Sequence, residues 1–316
     1  MSQRRRTEVL YIAAAPRSGT TIVSSLLGEA PGVFNAGEVR FLWKQLAGAG
    51  TCGCRQPLDE CTVWSRALAA AAGAPNGDAA VLMRGGAAHS LIRTLPAVHA
   101  RRRLIGDLSR SVRGHLERTL PVYAEVATTA DARLVVDSSK SPSYAYLLAQ
   151  SPDIALHLVH VVRDPRAVVY SWLRERGDAL NPALRLRAVA YHASKWSAWN
   201  VFIERQVSQS SASYTRLVYD DFASAPHARL SAILHSHGVD ASDLPVSHGD
   251  APVATLSTNH TVDGNGYRFW TGAVPIRIDD EWRTRMLQHE RLIVQALTWP
   301  LIERYGLSRS VCSAAR

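Results

Sequence analysis

Residues 10–21 read LYIAAAPRSGTT, and they decide how the rest of the chain folds. The first half continues an apolar run that begins near Val9. It lacks the strict alternation of a half-exposed strand, as expected of a strand buried on both faces of a parallel sheet. Pro16 and Gly19 then punctuate the chain before a helix-length segment. A glycine turn between a strand and a helix aims several backbone N–H groups at one point, and the helix start adds a partial positive charge. PRSGTT is therefore an anion cradle. Gly19 permits close approach, Thr20 and Thr21 supply hydroxyls and amides, and Arg17 brings a permanent planar cation. The Lys-Ser/Thr pair through which a nucleoside triphosphate site holds magnesium is missing, and no clear second carboxylate for that metal is in place.

Further apolar, β-branched runs lie at residues 134–136, 156–162 and 217–219, separated by segments of helix length. Together with the first run they predict an α/β fold: a P-loop-like parallel β-sheet flanked by helices. The Ala- and Arg-rich stretch over about residues 41–130 favours helices and is expected as a helical insertion covering one end of the sheet. After the third run, Asp164 and Pro165 read as cap and first residue of a helix. A second strong helix carries Trp196 and Trp199, and a last one is expected over residues 279–305. With no repeat and no low-complexity linker, residues 1–316 read as a single domain.

Lys and Arg number 36 against 27 Asp and Glu, giving a net charge of +9 and a pI near 9.7, which suits an anionic ligand. The basic residues are scattered and follow no nucleic-acid motif, so no nucleic-acid partner is expected. No apolar run approaches the roughly 18–20 residues of a membrane span. The N-terminus lacks the pattern of a cleaved signal, so a soluble, cytoplasmic protein is expected. Four cysteines are too few for a disulfide scaffold, and Cys52, Cys54 and Cys61 crowd together. They could form a metal site, a local disulfide or neither. Zinc would want a fourth ligand, and Cys-x-Cys is tighter than its usual spacing, so no metal ligand is assigned.

A second signal sits in HVVRDPRAVVYSW, where Arg163 closes the third run and Ser171 follows eight residues later. A cation at a strand end and a hydroxyl two helical turns on can clasp one phosphate. The two motifs together resemble those of the sulfotransferases that use 3′-phosphoadenosine 5′-phosphosulfate (PAPS). In that family a P-[RK]-S-G-T-T loop binds the 5′-phosphosulfate, and the Arg and Ser bind the 3′-phosphate. The resemblance implies that Arg17, Ser18, Gly19, Thr20 and Thr21 hold the first group and Arg163 and Ser171 the second. It also implies in-line transfer to a hydroxyl without metal, releasing adenosine 3′,5′-bisphosphate.

The hormone-and-drug branch of the family uses a histidine base just after a strand, and here that position reads VVDSSK, with Lys140 and no histidine. The branch that includes tyrosylprotein sulfotransferases places a glutamate after the phosphosulfate loop. NAGEVRFL is similar and offers Glu38 as general base, with His89, His99 and His115 as rivals. By the same resemblance Lys140 and Arg17 stabilise the transferred group. Gly264, Asn265, Gly266 and Arg268 match the late segment that closes over the nucleotide, with Arg268 reaching phosphate. Trp196 and Trp199 read as core or as adenine platforms, and Tyr219 as structural.

The Ala/Arg-rich composition suggests a bacterial source and a role in secondary metabolism. The acceptor is expected to be a small metabolite, glycan or glycolipid, and a homodimer is left open. Two alternatives stand beside this reading: a P-loop phosphotransferase (a kinase) and a non-catalytic nucleotide-binding module.

Overall fold

Five strands form the central sheet of the computed structural model, which describes residues 6–72, 110–176, 181–247, 249 and 251–308. They are β1 (Thr7–Ala14), β2 (Val33–Gly37), β3 (Leu134–Lys140), β4 (Ile154–Val162) and β5 (Ser213–Val218). All pair in parallel, in the order β2-β3-β1-β4-β5. β1 takes the centre because both of its faces are apolar. Val9, Tyr11 and Ala13 enter one core with Trp64, Tyr123 and Tyr144, whereas Leu10, Ile12 and Ala14 enter the other with Leu26, Phe222 and Leu234. Each large aliphatic side chain buried there contributes about 1.5–3 kcal/mol. The predicted α/β architecture is thus observed, with one strand more than expected. That strand, β2, is the short VFNAG, whose Asn and Gly weaken its sequence signal.

The first helices are α1 (Thr20–Leu27), α2 (Leu42–Ala47), α3 (Trp64–Ala72) and α4 (Arg110–Thr129). Of the expected insertion, α2, α3 and α4 are described; residues 73–109, with His89 and His99, lie outside the described residues. Then come α5 (Pro142–Leu148), α6 (Pro165–Arg176), α7 (Pro182–Phe202), α8 (Tyr219–Ser224), α9 (Pro226–Ser236) and α10 (Gln288–Arg304). Four of these start at a proline, whose missing N–H costs nothing in a first turn. The Asp164 carboxylate caps α6 by accepting from the Arg166 N–H at 2.8 Å.

The single helix expected over residues 279–305 is broken. A one-turn helix, Trp282–Arg285, is followed by extended Met286 and Leu287 before α10 starts. Side chains hold the segment in this form: the Glu290 carboxylate accepts from the Leu287 N–H at 3.2 Å, and Arg174 reaches back to Glu281 at 2.7 Å. An antiparallel pair, β6 (Val253–Leu256) and β7 (Gly272–Pro275), was not expected and frames the glycine-rich loop between them. No helix among the described residues is long and apolar enough to cross a membrane.

Candidate active site

Parallel strands all end on one edge, where open α/β sheets gather ligands. Each of the five delivers a side chain from its C-terminal end to one cleft of about 740 Å³: Arg17 after β1, Glu38 after β2, Lys140 at the end of β3, Arg163 after β4 and Tyr219 after β5. The two sharp sequence motifs therefore meet in space.

The first cradle is built by backbone conformation. Arg17 and Gly19 have φ of 75° and 78°, which is ordinary for glycine and costly for arginine. A Cβ on Gly19 would stand 2.0 Å from the Tyr219 ring, so the turn and the β5 end fit only with glycine. Thr20 and Thr21 open α1, where first-turn N–H groups have no partner within the helix. The Ser18 hydroxyl is buried with no hydrogen-bond partner. The Arg17 guanidinium pairs with Glu175 and lies 5.1 Å from the centre of the Trp172 ring.

The second cradle is tied to the first. Buried Arg163 donates to the carbonyl of Arg17 at 2.8 Å and faces the Asp279 carboxylate at 3.3 Å, with the Tyr219 ring centre 5.2 Å away. Ser171 reaches the same cleft from α6. Trp196 is core: its indole donates to the Arg163 carbonyl at 3.1 Å, fixing the strand end from behind. Trp199 borders the cleft.

Glu38 and Lys140 sit on neighbouring strand tips. A register break between Asn35 and Gly37, with Gly37 at φ 74°, turns β2 so that the Glu38 side chain enters the cleft. A Cβ on Gly37 would come within 2.7 Å of the Asp263 carbonyl oxygen. That same oxygen accepts from the Glu38 N–H at 3.2 Å. On β3, Asp137 accepts from the Ser139 N–H at 2.8 Å and from the Tyr123 hydroxyl at 2.5 Å. The turn so pinned carries Lys140 at φ 64°, and its ammonium forms an ion pair with the Glu38 carboxylate. All three of Arg17, Lys140 and Arg163 are thus matched with an acid of this chain, namely Glu175, Glu38 and Asp279.

The late segment is only partly in the cleft. Asn265 lines it, with Tyr267 and Trp270. Gly264 has φ 151°, and a Cβ there would lie 3.6 Å from the Arg268 side chain and 4.0 Å from the Glu38 carboxylate. Gly266 begins a 3₁₀ turn. Arg268 is placed otherwise than expected. It is buried and donates to the carbonyls of Thr261 and Thr51, each at 2.8 Å, so its guanidinium laces two loops together. His115 is buried on α4, edge-on to Tyr144, and does not border the cleft.

Residues 10–243 match the model of the Sulfotransferase family, a span that runs from β1 past α9 and contains both cradles. The chain belongs to the sulfotransferase family. The reaction class of this sulfotransferase is accordingly sulfuryl transfer. In fold it resembles the sulfotransferase domain from the curacin biosynthetic pathway, with a TM-score of 0.51 and 18% identity over 94% of this chain and 98% of that chain. A sulfotransferase from Alicyclobacillus acidocaldarius aligns at 12% identity over 93% of this chain and 95% of that one, with a TM-score of 0.37. Curated proteins give no match.

Sequence reasoning missed Trp172 and Asp279 in this sulfotransferase and gave Tyr219 no place in the site. Trp172 adjoins the predicted Ser171, so its position was readable. Asp279 could be found only from the fold, since its partner Arg163 is 116 residues away.

Proposed function

We propose that this sulfotransferase moves a sulfuryl group from PAPS to a hydroxyl of a small metabolite, glycan or glycolipid by in-line displacement, releasing adenosine 3′,5′-bisphosphate. The observation that carries the reading is the meeting of two anion cradles and an ion-paired carboxylate in one cleft. The residues present fit such a donor. The Ser18 hydroxyl has no protein partner, Gly19 leaves room no other residue would leave, and Arg17, Lys140 and Arg163 are among the cations that line the space. Bound PAPS supplies a sulfuryl group on a good leaving group. A sulfuryl group carries less charge than a phosphoryl group, so fixed arginine and lysine cations can take the place of magnesium.

Residues 17–21 hold the 5′-phosphosulfate end. Arg163 and Ser171 hold the 3′-phosphate, and Asn265, between Gly264 and Gly266, closes the nucleotide side. Arg268 supports that loop from behind. Lys140 and Arg17 face the charge that develops on the transferred group and the leaving oxygen. As Lys140 turns to that charge it releases Glu38, which takes the proton from the acceptor hydroxyl.

Calorimetric titration with adenosine 3′,5′-bisphosphate in magnesium-free buffer tests the cofactor class, with ATP and ATP plus magnesium in parallel. The bisphosphate should bind without metal, and Arg163→Ala should weaken it by about tenfold or more. Binding of ATP only with magnesium would instead point to a phosphoryl donor. With PAPS and an acceptor, Glu38→Gln should lower kcat by about 10²–10⁴ while leaving bisphosphate affinity near wild type. Unchanged turnover would remove Glu38 from the base position.

A further inference from the structure

Away from the cleft the fold completes a set of ligands that the sequence left one short. Cys52, Cys54 and Cys61 lie in the loop between α2 and α3, and His260 comes from the loop between β6 and β7. The three sulfurs and one imidazole nitrogen all fall within 4.8 Å of one another. Cys54 Sγ and Cys61 Sγ are 3.8 Å apart, and His260 Nδ1 lies 3.3 Å from Cys61 Sγ and 3.8 Å from Cys52 Sγ. A tetrahedral zinc with Zn–S of about 2.3 Å and Zn–N of about 2.0–2.1 Å separates its sulfurs by about 3.8 Å and sulfur from nitrogen by about 3.5 Å. All three thiols are free, and the 3.8 Å sulfur separation is far beyond a disulfide bond.

The backbone is shaped for such a site. Arg55, one residue past Cys54, has φ 70°, and its N–H donates to the Cys52 carbonyl at 2.8 Å, curling Cys-x-Cys around one point. Gly53 is required there, because a Cβ would stand 2.0 Å from the Asn259 side-chain oxygen. The Trp64 indole donates to the His260 carbonyl at 2.5 Å and holds that residue over the sulfurs.

We propose that Cys52, Cys54, Cys61 and His260 bind one structural zinc ion per chain. The cysteines bind as thiolates, so zinc uptake releases their protons to solvent. Four protein ligands fill a tetrahedral shell and leave no open position, so the metal takes no part in transfer. It fastens the two loops that Arg268 also laces. One of these carries Asp263, whose carbonyl positions Glu38, and Asn265 of the cleft wall.

The test uses the full chain purified without chelator from zinc-supplemented medium. Elemental analysis should find one zinc per chain. Replacement by cobalt(II) should give visible bands of tetrahedral intensity, with near-ultraviolet sulfur-to-cobalt charge transfer. Cys54→Ser and His260→Ala should each lose zinc and lower the melting temperature. The wild-type metal content and cobalt spectrum decide the matter even if a variant fails to fold. The proposal is overturned by absence of stoichiometric zinc, by iron in its place, by a cobalt spectrum without sulfur ligation, by zinc retained in folded variants, or by a Cys54–Cys61 disulfide in thiol counts. None of these readouts depends on the donor or the acceptor.

Discussion

At the scale of single residues, the turn that presents Lys140 depends on a buried acid. Burial pushes the Asp137 carboxyl up to about 6, against the hydrogen bonds from Ser139 and Tyr123 that pull it down. An unfolded aspartate loses its proton near 3.9, so between about pH 4 and 6 the folded chain holds a proton that the unfolded chain has lost. Stability from this group therefore falls as pH rises through that window, by about 3 kcal/mol, and is level above it. His160 acts in the opposite sense. Burial lowers it to about 4, so its contribution is lost as pH falls from about 6.5 toward 4. The two largely offset each other in wild type. Asp137→Asn should therefore gain about 3 kcal/mol on wild type between pH 4 and 6.5 and become the more acid-sensitive protein. Denaturant titrations across that range measure the difference, and parallel pH curves for the two proteins would contradict it. Gly19→Ala meets both a positive φ and the Tyr219 ring. It should cost about 2 kcal/mol or more by calorimetric melting and weaken the bisphosphate, because either the ring or the cradle must move.

Among elements, the strands and helices bearing the cradles were legible because local chemistry and fold agree there. β1 and β4 are dominated by apolar residues, β3 opens on Leu-Val-Val, and α6 opens on Asp-Pro. α7 has the same kind of entry: the Asn181 side chain accepts from the Leu184 N–H at 2.9 Å, with Pro182 in the first turn. Asn181→Ala should lower stability by about 1 kcal/mol in urea unfolding, with no effect on bisphosphate affinity. β2 is hard to read because five residues that include Asn and Gly carry little strand signal, although Glu38 at its end is legible from the resemblance of NAGEVRFL to the glutamate-base branch of the family. The break before α10 was equally unreadable, since contacts far along the chain hold it, such as Arg174 to Glu281. Arg268 shows the same limit. Sequence reveals a cation in a glycine-rich loop, but not the two carbonyls that occupy it.

For the whole molecule, pairings between distant segments are what sequence reading lacked. His260 completes the cysteine cluster from 199 residues beyond Cys61. The overall charge was legible, and at +9 it should draw an anionic nucleotide from a distance. Raising salt from about 0.1 M to about 1 M shortens the screening length from about 10 Å to about 3 Å. Stopped-flow association of the bisphosphate should then slow by about tenfold or more, with dissociation far less affected. A salt-independent association rate would mean that only the cleft's own cations matter. The hydrogen bond from Arg163 to the Arg17 carbonyl joins the tips of β1 and β4 into one mechanical unit. An engineer who altered the β4 side of the cleft at Arg163 would find that the turn after β1 responds. The coupling runs one way: a change at Arg163 frees the backbone on which Arg17 stands, whereas a change of the Arg17 side chain leaves its carbonyl in place for Arg163.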